Sequence, residues 1–268
     1  FSPDDLIAFN GVLRMTADTP VAPDPVPVQG SGAEGPVAIC SANPSSVMAI
    51  TETFRFKGDQ SYDPAGRPLT ASWTWVSVPA GSTVANPLRG MNTGLITPDV
   101  IGDYVARLVV TNDLGYSSAP CTATATAIAG SDLWVEMFWQ YRGDDMDLHL
   151  LKGNGAFNSG NDCYYGNCVG GLSWGAAGRT DDPRLDLDDI PNRGPENINI
   201  SAPAASTYTV LVHDYPGSVY NGANQVTVSV YISGVLQYQE TRTITGESRQ
   251  ERFALIDWTV QPPTVTAL

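Results

Sequence analysis

From Val37 onward, apolar residues recur at every second position in short runs bounded by Gly, Pro, Asn and Asp, which is the pattern of half-buried strands. No stretch sustains a helical period. The alternation predicts strands over 47–50, 53–57, 72–78, 104–111 and 122–128, and again over 133–140, 147–151, 185–188, 198–200, 208–213, 225–232, 236–241 and 252–258. Many short strands without intervening helices imply an all-β protein, built as two tandem antiparallel β-sandwich domains, the first of them Ig-like. The boundary falls near Ala129-Gly130-Ser131, giving a first sandwich over 37–129, a second over 130–260 and a tail over 261–268. Leu133 to Trp139 is apolar on both faces, so that strand is expected to be central in its sheet or covered by the other domain. Residues 1–36 form an N-terminal arm. Ser2-Pro3-Asp4-Asp5 ahead of Leu6, Ile7 and Phe9 predicts a short helix, and the Pro-rich and then Gly-rich stretch from Thr19 to Pro36 predicts an extended segment without a core of its own.

Composition narrows the class. The 268 residues carry 28 Asp and Glu against 14 Lys and Arg, a net charge of -14, which argues against nucleic acid as a partner. Gly 26 and Pro 20 make up over a sixth of the chain while 42% is hydrophobic, so the protein is turn-rich and globular rather than disordered. No apolar run approaches the roughly 18 residues of a membrane span, and no transmembrane segment is expected. Phe1 in place of Met points to a processed form or a fragment. Of the four cysteines, Cys163 and Cys168 close a small loop around Gly166-Asn167, which leaves Cys40 to pair with Cys121. A zinc site would want two such close pairs or neighbouring His. Two disulfides imply an oxidising compartment: extracellular, cell surface or periplasmic.

Within the first sandwich, Lys57-Gly58-Asp59-Gln60-Ser61-Tyr62-Asp63-Pro64-Ala65-Gly66, Ser72-Trp73-Thr74-Trp75, Gly102-Asp103-Tyr104 and Val109-Val110-Thr111-Asn112-Asp113-Leu114-Gly115 together resemble a PKD domain. Val76-Ser77-Val78 departs from it, standing where many members carry a Gly-Asp-Gly turn. The resemblance implies an extracellular spacer or binding module and no chemistry. Asp63 to Gly66 suits a turn, a strand Trp suits the plug of a small sandwich, and Tyr104 suits a corner hydroxyl. Asp59, Asp63 and Asp113 are read as turn formers.

The second sandwich holds the chemistry-bearing residues, with 17 acidic against 8 basic side chains over 130–260. In Asp145-Met146-Asp147-Leu148-His149-Leu150 the alternation sends Met146, Leu148 and Leu150 to the core and leaves Asp145, Asp147 and His149 on the opposite face. The same rule puts Asp186 and Asp188 on one polar face. Four carboxylates sharing a patch repel unless a cation neutralises them, and a hard cation with oxygen ligands, Ca²⁺, fits best. Glu196, Asp181 and Asp182 would complete the shell. The alternative is a solvated acidic face. The spacing is not that of an EF-hand. His149 and His213 lie on the polar faces of their strands and with Asp147 offer a zinc-type set, against the plainer reading of hydrogen-bonded surface His. Asp145-x-Asp147-Leu148-His149, Tyr164-Tyr165, Leu185-Asp186-x-Asp188, Gly194-Pro195-Glu196-Asn197-Ile198 and Tyr208-x-Val210-x-Val212-His213-x-Tyr215 are similar to a bacterial secreted β-sandwich family of uncharacterised function. That resemblance implies a fold and a compartment but no reaction. The disulfide-closed loop from Gly153 to Gly171 is an insertion relative to plainer members.

Several matches are discounted. Gly171-Leu172-Ser173-Trp174-Gly175 fits the nucleophile-elbow pattern but lies in a Gly-rich loop. Arg142-Gly143-Asp144 is a common tripeptide, and Asn199-Ile200-Ser201 is a sequon inside a predicted strand. The sequence therefore leads to a non-enzymatic extracellular module pair for adhesion or ligand binding, stabilised by calcium, with a protein, a glycan or copies of itself as partner. Tyr164, Tyr165 and Trp174 are candidates to stack on sugar rings, or else to pack over the sandwich end. Two alternatives are a structural subunit of an extracellular assembly or filament that uses the arm to add a strand to a neighbour, and an accessory region of a secreted hydrolase.

Overall fold

A computed structural model describes residues 9–13, 26–30, 34–85, 89–175, 180–190 and 192–268, and it is all-β. In the arm, β1 (Phe9–Leu13) and β2 (Val26–Gly30) pair antiparallel as a sheet of their own. Phe9, expected in a helix, stands in a strand, and the rest of that expected helix lies outside the described residues.

The first sandwich comprises β3 (Ser41–Asn43), β4 (Ser46–Met48), β5 (Arg55–Lys57), β6 (Leu69–Ser77), β7 (Gly102–Asn112) and β8 (Cys121–Ile128). One sheet runs β4-β8-β7-β6, and β3 pairs with β5 in the other. The β4–β8 pair is parallel, a departure from the expected antiparallel rule; the other pairings are antiparallel. Alternation along β7 sends Tyr104, Ala106, Leu108 and Val110 inward. They meet Phe54, Phe56 and Trp73, with the Phe56 and Trp73 rings stacked 5.6 Å apart. The Tyr104 hydroxyl accepts from Val100 N–H at 3.1 Å and lies 2.9 Å from Asp99 Oδ1, which is the corner role expected of it. Asp63 serves its turn, accepting from Ala65 N–H and from Asn112 Nδ2. Cys40 is bonded to Cys121.

The second sandwich comprises β9 (Leu133–Trp139), β10 (Met146–Lys152), β11 (Asp162–Cys163), a single turn α1 (Tyr165–Cys168), β12 (Pro183–Leu187), β13 (Glu196–Ile200), β14 (Thr207–Asp214), β15 (Asn224–Ile232), β16 (Val235–Ile244), β17 (Gln250–Asp257) and β18 (Thr264–Ala267). Two five-stranded antiparallel sheets, β11-β10-β14-β17-β18 and β12-β13-β9-β15-β16, face each other across a core that includes Val135, Met137, Leu148, Ile198, Val210, Val228 and Phe253. The expected tail is β18, hydrogen-bonded to β17. Its four residues follow Pro262-Pro263, too short a run for alternation to announce a strand.

β9 is both central and covered, because its two faces serve two cores. Leu133, Val135, Met137 and Trp139 point into the second sandwich, while Trp134 packs into the core of the first. Phe138 lies so close to Gly81 that a Cβ there would meet its ring at 2.6 Å, and Gly81 has φ +84°. Glu136 Oε1 accepts from both Ile101 N–H and Trp134 Nε1 at 2.9 Å. Burial is the main reason that the Glu136 carboxyl is pushed up to about 7, against two hydrogen bonds that oppose the shift. The folded state therefore binds this proton more tightly than the unfolded chain does, and stability falls as pH rises from about 4.5 to about 7. Glu136→Gln keeps the Oε1 acceptor and removes the buried charge. The variant is expected to match wild type near pH 4 and to exceed it at pH 8 by on the order of 2–3 kcal/mol in denaturant unfolding. An equal gap at both pH values would show that the charge is not what is costly there.

Candidate metal centre

The pairing of β10 with β14 sets Asp147 directly opposite His213, and alternation puts His149 on the same face two residues on. That face is buried, against the alternative readings of a solvated acidic face and surface histidines. Asp147 is 3% exposed, His149 0% and His213 8%. The disulfide-closed loop from Gly153 to Gly171 lies over them, with Phe157 4.7 Å from the His149 ring centre and Tyr164 stacked at 5.1 Å on an 8° interplanar angle. Alternation tells which side of a strand a residue takes but not what an insertion lays on top of it.

A third element completes a carboxylate set. Glu196 opens β13 in the opposite sheet and reaches across, its Oε2 accepting from Leu148 N–H at 2.7 Å. It is 1% exposed, and its Oε1 is buried with no partner. Asp147, Asp188 and Glu196 each present an oxygen, and the three lie within 4.8 Å of one another. Asp145 flanks them, also with a buried, unpartnered oxygen. Burial and then the charges of Asp147 and Asp188 push the Asp145 carboxyl up to about 7. The same causes, partly offset by the Leu148 hydrogen bond, hold Glu196 well above the usual carboxylate range. Asp188 is raised by burial and by Asp147. Such a group gains protons or a cation, and oxygen donors of this kind at the end of a sandwich fit a hard dication.

The other sequence candidates go elsewhere. Asp186 accepts from Asn199 Nδ2 at 2.7 Å and pairs with Arg184 rather than joining the cluster. The reason is a register shift between Leu185 and Leu187, which breaks the period of two and separates Asp186 from Asp188. Asp182 accepts from Trp174 N–H at 2.7 Å, and Asp181 lies against Gly175, so both serve the Trp174 loop. Trp174 itself is committed, donating from Nε1 to Gly160 and stacking 6.1 Å from Tyr208. Tyr164 is spent on His149. Tyr165 alone of the three aromatic candidates is exposed, edge-on to Tyr215 at 5.7 Å.

Tyr215 belongs to a cleft of about 590 Å³ that Arg142, Ile190, Val219 and Asp145 also line. Asp145 thus lines the cleft and stands beside the cluster. Sequence reasoning missed Asp162, which accepts from Asn158 N–H and pairs with His149 Nδ1 at 2.8 Å. Its position beside Cys163 was the one signal available. The discounted motifs stay discounted: Ser173 sits in irregular backbone, Asp144 is fully buried against Asn224 at 2.7 Å, and Asn199 is buried with its amide occupied.

No family model matches the chain, and no curated protein matches it. Among solved structures, it superposes on the endo-fucoidan hydrolase MfFcnA4 from glycoside hydrolase family 107 at 11% identity and a TM-score of 0.24, covering 92% of this chain and 34% of that one. A single-residue variant of the same enzyme gives 12%, 0.24, 90% and 34%. The chain thus spans about a third of the length of these structures. A superposition this loose transfers neither fold nor activity. Both cysteine pairs are bonded, which fits an oxidising compartment, and no helix among the described residues is long and apolar enough to cross a membrane.

Proposed function

We propose that the chain is a non-enzymatic binding module pair that works outside the cell or at its surface, and that a calcium-class cation held by Asp145, Asp147, Asp188 and Glu196 is part of its binding site. The observation that carries this is the unpartnered Oε1 of Glu196, buried beside two further carboxylates, with Asp145 next to them lining an open cleft. An uncompensated buried carboxylate oxygen is costly, and a cation is the partner that satisfies several at once. Asp145 links the cation to the cleft, where Arg142 adds a positive group and Tyr215 an aromatic face. That combination suits a glycan or protein segment bearing acidic groups. The first sandwich is read as a PKD-like spacer, supported by its Trp73 plug and Tyr104 corner.

The test is an array of acidic and neutral glycans and peptides probed in calcium and in EDTA. Wild type is expected to retain acidic ligands in calcium alone, and Asp188→Asn to retain them in neither condition. Binding that persists in EDTA would separate the cleft from the cation. Turnover of an arrayed glycan, lost in Asp147→Asn, would replace this reading with a hydrolase.

A further inference from the structure

A second group of ligands stands beside the carboxylate set and is unlike it. Asp147, His149 and His213 offer an oxygen and two nitrogens that lie within 4.8 Å of one another, all buried. The Nδ1 of His149 is taken by Asp162 at 2.8 Å, so the nitrogen it can offer a ligand is Nε2. That atom is buried and has no hydrogen-bond partner. A neutral imidazole nitrogen left so is costly unless a donor or a metal meets its lone pair. The Asp162 contact is the arrangement that orients metal-ligating histidines, because a carboxylate on the far nitrogen fixes the tautomer and makes the near one more basic. His213 Nδ1 lies 3.2 Å from Asp147 Oδ2. Two ligands of one tetrahedral zinc, each about 2.0–2.1 Å from the ion, stand about 3.3 Å apart, so this pair is already at the length of a tetrahedral edge.

We infer that Asp147, His149 and His213 form a transition-metal position of zinc class, oriented by Asp162 and roofed by Phe157 and Tyr164. Nitrogen donors separate it chemically from the neighbouring set, which is oxygen only. Asp147 is common to both groups, so its two carboxylate oxygens can serve one ion each. The inference does not need the calcium reading to hold, since the two histidines and Asp162 take no part in the carboxylate set. A metal here ties together β10, β14 and, through Asp162, the base of the disulfide-closed loop, which explains why His149 is packed beneath two aromatic rings rather than left on a solvated face.

Cobalt(II) titration of the chelator-stripped 268-residue chain, with calcium present throughout, tests it. Wild type is expected to take up one equivalent and show the intense visible absorption of four-coordinate cobalt, erased by one equivalent of zinc. His213→Gln, at the more accessible histidine, is expected to lose the band and at least tenfold in cobalt affinity while its far-ultraviolet dichroism is kept. Asp162→Asn is expected to weaken cobalt binding at least tenfold without abolishing it. Asp188→Asn, which removes a carboxylate ligand alone, is expected to keep the band, and a wild type that takes up cobalt yet shows no response to calcium would sink only the calcium reading. Weak six-coordinate absorption in wild type, or a band that survives His213→Gln, would overturn the inference.

Discussion

Calcium is expected to raise the unfolding midpoint of the EDTA-stripped protein, and by more the further its concentration exceeds its dissociation constant. An ion bound only to the folded state stabilises it by about 2.7 kcal/mol at one hundred times that constant and about 4 kcal/mol at one thousand times. For a chain of this size roughly 2–4 °C accompanies each kcal/mol, so the shift at saturating calcium is on the order of 10 °C. Asp188→Asn combined with Glu196→Gln should abolish it. The same pair of substitutions is expected to raise the midpoint in EDTA above that of stripped wild type, because burial and the charge of Asp147 hold both carboxyls above their usual range and the variant removes those charges. These opposite signs matter, since general damage to the fold would lower both midpoints. A wild type that melts at one temperature with and without calcium would return the cluster to the status of an acidic face.

The histidines and carboxylates of this site differ in how far the sequence reveals them. The two-sandwich architecture is legible because the period of two is strong along strands such as β7 and β14, whose inward residues are apolar up to the last position of each strand. The double duty of β9 is legible for the same reason, since both of its faces are apolar in the sequence. Asp147, Asp188 and Glu196 could be proposed as ligands from charge crowding alone, although three different strands or strand ends supply them. Asp186 could not be told from Asp188, because a bulge is a backbone event that side-chain pattern does not record. The burial of His149 was hidden for another reason. It depends on where the loop from Gly153 to Gly171 comes to rest, and a loop without alternation carries no register. The strands β3 and β18 were too short to stand out against their turns.

Removing the Cys40–Cys121 bridge is expected to be the most destabilising change in the first sandwich. The bond spans a sequence separation of 81, against 5 for Cys163–Cys168. In the chain-entropy account the denatured chain gains freedom with the logarithm of the loop, giving about 4.5 kcal/mol for the long bridge and about 2 kcal/mol for the short one. Placement reinforces the difference. Cys40 immediately precedes β3 of the small sheet and Cys121 begins β8 of the large one, so the bond staples the two layers of a small domain whose second sheet, among the described residues, pairs β3 with β5. The short bridge closes one turn and holds Tyr164 above His149, a local task. Paired Cys→Ala variants unfolded in guanidinium should therefore rank with the long-loop variant lower, by roughly 2 kcal/mol. Loss of the long bridge should leave cobalt uptake at His149 and His213 unchanged once the second sandwich is folded. The reverse ranking would mean that the loop from Gly153 to Gly171 is itself a stability determinant of the second sandwich, with the short bond fixing more structure than its own length accounts for.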